Sequence, residues 1–163
     1  MFAGIDLAAK EKNPSAACLL GRRVQCATLH SDREIIAWAA AARPALIALD
    51  APLSLPSKGS LREVERELIA RGLRVFPIRG AMRALARRGM RLRRKLAALG
   101  IRVIEVHPRS SLLALRRLGQ NIRFPAACRS EHERDAWLAA LTAKLFAKGK
   151  CEVIGRAFAL PSA

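Results

Sequence analysis

The stretch Phe2-Ala3-Gly4-Ile5-Asp6-Leu7-Ala8 decides the fold, because it is an apolar run interrupted by a single acid. Short apolar runs of this kind are typical of strands buried inside a sheet. A carboxylate in such a strand is costly to desolvate unless a partner compensates it. A second run, Leu46-Ile47-Ala48-Leu49, ends directly at Asp50. We therefore expect Asp6 and Asp50 to lie at the ends of two strands, where they can share one site.

The remaining pattern predicts strands that alternate with helices after an antiparallel meander. Strands are expected over 2–8, 15–20, 23–29, 45–49 and 101–106, and helices over 32–42, 61–71, 80–99, 110–118 and 131–148. Ser31 or Asp32 is expected to cap the first helix. This order predicts an α/β fold with a mixed five-stranded sheet, a three-stranded antiparallel meander plus two parallel strands, flanked by helices. It is the layout of the RNase H-like fold, and several other three-layer folds share it.

The length of 163 residues favours one domain, residues 1–163. Within it we expect a helical insertion at about 57–100 and a peripheral tail at about 151–163. No apolar run approaches the ~18 residues that a membrane span needs, and the first residues lack the basic region of a signal peptide. We expect a cytoplasmic protein with no membrane partner. The four cysteines have no zinc-like spacing and are interpreted as small buried apolar side chains.

The charge is strongly positive and unevenly distributed. The chain has 30 Lys and Arg against 13 Asp and Glu, a formal net charge of +17, which favours a polyanionic partner such as nucleic acid. No acid lies between Glu67 and Glu105, although eleven basic residues do. On the helix expected over 80–99, four arginines follow one another at helical spacing, with Arg88 and Lys95 alongside: Arg83, Arg87, Arg91 and Arg94. Like charges this close repel one another. We interpret this face as a contact surface for a nucleic-acid backbone, the alternative being a solvated helix face.

Aspartate is scarce in this chain, which has only Asp6, Asp32, Asp50 and Asp135. Asp32 has a local explanation as a helix cap. Asp135 lies in the first turn of the last predicted helix, three residues after His132, so that both share one face. We predict that Asp6, Asp50 and Asp135, with His132, form a site for a hard cation such as Mg²⁺ or Mn²⁺. The alternative is that each acid serves a local turn or helix terminus.

Five motifs occur in the order found in a known family. They are Gly4-Ile5-Asp6-Leu7-Ala8, Ala48-Leu49-Asp50-Ala51-Pro52-Leu53, Arg62-Glu63-Val64-Glu65-Arg66, Ile104-Glu105-Val106-His107-Pro108 and Asp135-Ala136-Trp137-Leu138-Ala139-Ala140. From Gly4 to about Gly155 the chain resembles domain-of-unknown-function family 429, which is described as predicted RNase H-like nucleases. The pattern His132-x-x-Asp135 is also similar to the last motif of RuvC-type junction resolvases, which share that fold.

The resemblance implies roles for individual residues. Asp6 would be the metal ligand of the first strand and Asp50 that of the fourth, and Asp135 with His132 would complete the catalytic site from the last helix. Glu105, Glu63 and Lys10 are further candidates. Glu105 is expected near the crevice, either as a ligand or as a partner of Arg66. Lys10 would contact substrate phosphate or weaken metal binding.

The expected function is that of a metal-dependent nuclease. Phosphodiester hydrolysis would use two Mg²⁺ or Mn²⁺ ions about 4 Å apart, bridged by Asp6, with His132 orienting the attacking water. Resolvase-like chemistry would favour a homodimer. One alternative is a catalytically inactive nucleic-acid-binding module of the same fold. Another, an ATP-dependent phosphotransferase, is disfavoured because no Gly-rich phosphate loop follows Asp6 and the length allows one domain where such enzymes need two.

Overall fold

The computed structural model describes all 163 residues, Met1–Ala163. Its strands are β1 (Phe2–Asp6), β2 (Ser15–Leu20), β3 (Val24–Leu29), β4 (Leu46–Asp50), β5 (Val103–Glu105), β6 (Cys151–Ile154) and β7 (Phe158–Pro161). Its helices are α1 (Asp32–Ala42), α2 (Glu63–Ala70), α3 (Ala81–Ala98), α4 (Pro108–Arg117) and α5 (Glu131–Phe146). No helix combines the length and apolar character that crossing a bilayer would require.

The strands form one mixed sheet in the order β3-β2-β1-β4-β5-β7-β6. Strand β2 runs antiparallel to both β1 and β3, whereas β4 runs parallel to β1 and β5 parallel to β4. The first five strands therefore have the order and directions of an RNase H-like sheet. The predicted α/β class, the meander and the two parallel strands are confirmed.

The predicted number of five strands is wrong, because the sheet has seven. The tail expected to be peripheral folds into the antiparallel pair β6 and β7, and β7 extends the sheet by pairing parallel with β5 at Glu105 and Phe158. All four residues of β7 are buried, and Phe158 is 2% exposed. This pairing joins segments about fifty residues apart, which a local sequence pattern does not indicate.

The two faces of the sheet are covered by different helices. Ile5, Ile47 and Leu49 are fully buried on the face that packs against α1 and α3. Residues that point to the opposite face, such as Ala48, pack against Ala139 and its neighbours on α5. Because successive side chains of a strand point to opposite faces, Asp6 and Asp50 lie on the α5 side.

Helix α5 lies directly on β1, and Gly4 makes this possible. A Cβ atom placed on Gly4 would lie 2.1 Å from the carbonyl oxygen of Ala136 and 2.2 Å from the amide nitrogen of Ala140. Both distances are far shorter than a van der Waals contact, so the helix backbone occupies the space of the missing side chain. The contact lies one turn of α5 beyond the residues that approach Asp6.

Helix α3 is held against the body of the protein by Arg88, which is 1% exposed. Its Nε donates to Asp32 Oδ1 at 2.8 Å, and its Nη1 and Nη2 donate to the carbonyl oxygens of Ala8 and His30. We expected Arg88 beside the exposed arginines of this helix, but it is buried and does not belong to that surface. Asp32 is a buried ion-pair partner and not a cap, because the Ser31 hydroxyl accepts the capping hydrogen bond from the Glu34 amide.

Gly4→Ala tests the contact between α5 and β1. The added methyl group must displace helix backbone, so we expect the free energy of unfolding to fall by about 3 kcal/mol, the upper end of ordinary overpacking costs. Urea unfolding followed by circular dichroism measures it. Gly21→Ala is the matched control, because its nearest neighbour is the flexible Met1 side chain at 3.2 Å. Equal stability of the two variants would contradict the packing described.

Arg88→Met tests the buried ion pair. The substitution leaves the Asp32 carboxylate buried without its main partner, so we expect a loss of about 3–5 kcal/mol in the free energy of unfolding. Arg87→Met, on the exposed face of the same helix, should change stability by less than about 0.5 kcal/mol. Thermal and urea unfolding of both variants give the comparison. Similar losses would mean that Arg88 acts as an ordinary surface arginine.

Candidate active site

Asp6 and Asp50 meet at one edge of the sheet. They are the last residues of the neighbouring parallel strands β1 and β4, and they are paired directly across the ladder. Their side chains therefore point to the same face. In open α/β sheets, ligands bind in the crevice beyond the carboxyl ends of such strands. Both residues are partly buried.

The first turn of α5 brings His132 and Asp135 to this crevice. The helix begins at Ser130, whose hydroxyl accepts a hydrogen bond from the Glu133 amide while the Glu133 carboxylate bonds back to the Ser130 amide. This capping box fixes where the helix starts. The Nδ1–H of His132 donates to Asp6 Oδ2 at 2.6 Å. Asp135, three residues on, is partly buried on the same side.

Burial and neighbouring negative charges raise the pKa values of Asp50 and Asp135. Burial raises the pKa of Asp50 well above its ordinary value, and the negative charges of Asp6 and Asp135 raise it further. Burial and the Asp6 charge likewise raise the pKa of Asp135 to about 6. The structure thus brings together the three acids that the sequence singled out. Their mutual repulsion is a cost that a bound cation would remove.

His132 is held by Asp6 although its side chain is 73% exposed. The hydrogen bond and the negative charge of Asp6 raise the pKa of the imidazole. The ring therefore takes a proton more readily than a free histidine does. It lies where it can hold a proton or orient a water molecule beside the carboxylates.

Arg109 is a site residue that sequence reasoning missed. It lies in the first turn of α4, and its positive charge opposes the upward pKa shifts of both Asp50 and Asp135. Its Nη2 donates to Glu131 Oε1 at 2.9 Å, which links the first turns of α4 and α5 across the crevice. The only sequence signal was its position just after the motif that contains Glu105.

Glu105 is engaged in a buried ion-pair network. The side chain is 6% exposed, and its Oε2 accepts hydrogen bonds from the Leu53 amide at 2.7 Å and from Arg62 Nη1 at 2.9 Å. Arg62 also bonds the buried carboxylate of Glu65. The predicted partner, Arg66, is wrong: it is exposed and donates to the Leu61 carbonyl. With these partners Glu105 positions the loop after Asp50, and its charge adds to the raised pKa of Asp50.

The other two candidates, Glu63 and Lys10, are exposed and make no hydrogen bond or ion pair with the site aspartates. Glu63 is exposed in the first turn of α2 and lines a separate cleft of about 540 Å³, which Arg66, Arg93 and Arg156 also line. Lys10 is exposed in the turn after β1, where its carbonyl accepts a bond from the Asn13 amide. Its ammonium group lies within 4 Å of no carboxylate oxygen, because no ion pair includes Lys10.

The basic face of α3 is exposed, as predicted, at Arg83, Arg87, Arg91 and Arg94. Only Arg91 has an acidic neighbour, Asp32 Oδ2 at 3.7 Å. Gly89 on the opposite face allows α3 to approach the segment after Asp50, since a Cβ there would lie 3.0 Å from that of Ala51. The helix that carries the arginines therefore packs against the loop that follows one of the site aspartates.

The donor set fits a hard divalent cation. Asp6, Asp50 and Asp135 offer only carboxylate oxygens, which Mg²⁺ and Mn²⁺ prefer. Burial, together with the neighbouring carboxylate charges, raises the pKa values of Asp50 and Asp135, and a bound cation would oppose both effects. The carboxylate oxygens do not all lie within 4.8 Å of one another, so water molecules or substrate oxygens would complete the coordination.

The raised pKa of Asp135 has a consequence for stability in EDTA. Its pKa is about 6 in the folded protein against an ordinary 3.8, so the folded state holds a proton that the unfolded chain has released. The free energy of unfolding should therefore decrease as the pH rises from about 4 to 6. Asp135→Asn should remove this decrease, measured as the difference between wild type and variant in urea unfolding.

Glu152→Gln is the control for this pH dependence. Arg71 lowers the pKa of Glu152, so this carboxylate stabilises the fold only as the pH rises through its titration. The wild-type minus variant difference should therefore have the opposite sign. A flat difference for Asp135→Asn would contradict the raised pKa of Asp135.

Comparisons with known proteins relate the chain to one solved structure and one family. A solved structure of Thermus thermophilus RuvC matches with a TM-score of 0.39 and 15% identity, over 98% of each chain. The fold assignment rests on the strand order given above and not on this likeness. No curated protein matches the chain. The model of the family described as "Protein of unknown function (DUF429)" matches residues 4–123, which contain Asp6, Asp50 and Glu105. The chain belongs to this family.

Proposed function

We propose that this protein is a metal-dependent nuclease that hydrolyses phosphodiester bonds in nucleic acids. The observation that carries the proposal is the placement of Asp6 and Asp50 side by side at the ends of β1 and β4, with Asp135 close enough for its charge to raise the pKa of Asp50. These are three of only four aspartates in a chain of net charge +17. The fourth, Asp32, forms a buried ion pair with Arg88.

Asp6, Asp50 and Asp135 would hold Mg²⁺ or Mn²⁺ in a two-metal mechanism, with Asp6 as the shared ligand. The cations would supply a lowered pKa for the attacking water and charge stabilisation on the leaving oxygen. His132, 2.6 Å from Asp6, would orient the water or hold its proton. Arg109, whose charge acts on Asp50 and Asp135, would contact a substrate phosphate.

The basic face of α3 would bind the sugar-phosphate backbone. Phosphate contacts by arginine position a nucleic acid without reading its sequence. The face has no aromatic residue on which an unpaired base would stack. We therefore infer that recognition depends on the backbone and shape of the substrate. A homodimer, as in resolvase-like chemistry, stays a prediction.

Asp6→Asn tests the catalytic assignment. The substitution preserves the shape of the side chain but removes the charge that a cation needs, so we expect Mn²⁺- or Mg²⁺-dependent cleavage to fall by at least about 100-fold. Purified protein is incubated with duplex DNA, single-stranded DNA, RNA and a branched junction, and products are separated on gels. Glu152→Gln, which removes an acid on the far strand β6, should keep full activity.

Cleavage that survives in the Asp6→Asn variant would overturn the catalytic assignment. Salt-sensitive binding by the wild type without cleavage in either metal would instead favour a binding module that lacks the chemistry. Circular dichroism of each variant serves as the control that the fold is unchanged.

The basic face of α3 is tested by the salt dependence of binding. Replacing Arg83 and Arg87 by glutamine should weaken binding and flatten the slope of log K against log salt by about 1.8, at roughly 0.9 for each lost duplex phosphate contact. Arg22 and Arg23, exposed in the turn between β2 and β3, provide the charge-matched control. Fluorescence anisotropy with labelled duplex at several salt concentrations measures both. Equal slopes for the two double variants would show that net charge alone, and not this face, drives binding.

A further inference from the structure

Three cysteines from separate parts of the chain meet on the α5 side of the sheet. Cys18 lies on β2, Cys26 lies directly across from it on β3, and Cys128 lies in the loop that precedes α5. The sulfur of Cys26 is 3.7 Å from that of Cys18 and 3.8 Å from that of Cys128. All three sulfurs lie within 4.8 Å of one another, the tightest grouping of metal-ligating side chains in the protein.

These separations match those of sulfur ligands around one metal ion. Zinc binds thiolate sulfur at about 2.3 Å in tetrahedral geometry, which places neighbouring sulfurs about 3.8 Å apart. Two of the three separations already have this value. A cation could therefore bind between the sulfurs with little movement of the backbone.

The surroundings favour a soft cation and leave it a path of entry. Cys18 and Cys128 are buried, in an apolar cluster with Ala16 and Trp137, whereas Cys26 is partly exposed. Three thiolates in this setting are stable only with a cation that neutralises them.

We propose that Cys18, Cys26 and Cys128 form a three-thiolate binding site for Zn²⁺, with the fourth position open on the side of Cys26. The site is separate from the aspartate crevice and does not depend on the proposed nuclease activity. It joins the β2 and β3 strands to the loop that leads into α5, two residues before Ser130. Zn²⁺ would thus fix the start of the helix that carries His132.

Cobalt substitution tests the site in the full-length protein, fully reduced with TCEP and in excess Mg²⁺. One equivalent of Co²⁺ should produce thiolate-to-cobalt charge transfer in the near ultraviolet and the intense visible bands of tetrahedral coordination. Adding Zn²⁺ should abolish both. Under the same conditions one equivalent of Zn²⁺ should raise the melting temperature of the protein.

Variants assign these signals to the three cysteines. Cys26→Ser should lose the charge-transfer band and the rise in melting temperature, and Cys128→Ser should do the same. Cys151→Ser is the matched control, because Cys151 lies on β6, away from the other three, and its thiol donates to the Thr142 carbonyl. It should keep both signals.

Failure of the reduced wild type to develop the band, with four thiols titratable, would overturn the proposal. So would an unchanged band in both Cys26→Ser and Cys128→Ser. The Asp6→Asn variant should keep the thiolate band whether or not it cleaves nucleic acid. The outcome for this site is therefore distinguishable from the outcome for the proposed nuclease.

Discussion

The contact between Gly4 and the backbone of α5 is the constraint on which the rest of the site depends. Because the helix occupies the space that a Cβ at this position would fill, its first turn is brought over the end of β1. That geometry places His132 within hydrogen-bond distance of Asp6. It also places Asp135 close enough to Asp50 for its charge to raise the pKa of that carboxyl. The pairing of β1 with β4 supplies the other half, since it sets the two strand-end acids side by side. One backbone contact and one strand pairing therefore assemble a site whose members are up to 129 positions apart in the chain.

Six of the 13 acids of this cationic protein serve two distinct purposes. Glu65, Glu105 and Asp32 are buried against Arg62 and Arg88, and these ion pairs fix the loop after β4 and the basic helix α3. Removing one member of such a pair lowers the free energy of unfolding by much more than the intact pair contributes to it, because the partner is left buried and charged. The three site aspartates differ, since only an exposed histidine and an arginine on their rim balance them. The acids paired with buried arginines stabilise the fold, whereas the three site aspartates repel one another and are available to bind a cation.

Most of the fold could be predicted from the sequence because its strands are short apolar runs and its helices begin and end at clear signals. Asp6 and Asp50 could be singled out because each interrupts or ends an apolar run, and Asp135 because it shares a helix face with His132. The ion-pair partners of the buried acids could not be predicted. Only the packing of α3 and α2 determines that Arg88 and Arg62 are buried while the neighbouring arginines are exposed. For the same reason the spacing of Cys18, Cys26 and Cys128 concealed their proximity. The strands β6 and β7 were missed because their place in the sheet depends on pairing with distant β5.

The most direct test of the central claim is a crystal structure of the protein soaked in Mn²⁺, with anomalous scattering recorded to locate the metal. The account predicts anomalous density between Asp6, Asp50 and Asp135, with the Asp6 carboxylate turned toward it. Mn²⁺ absent from this crevice at millimolar concentration, with Asp6 still bonded to His132 alone, would contradict it.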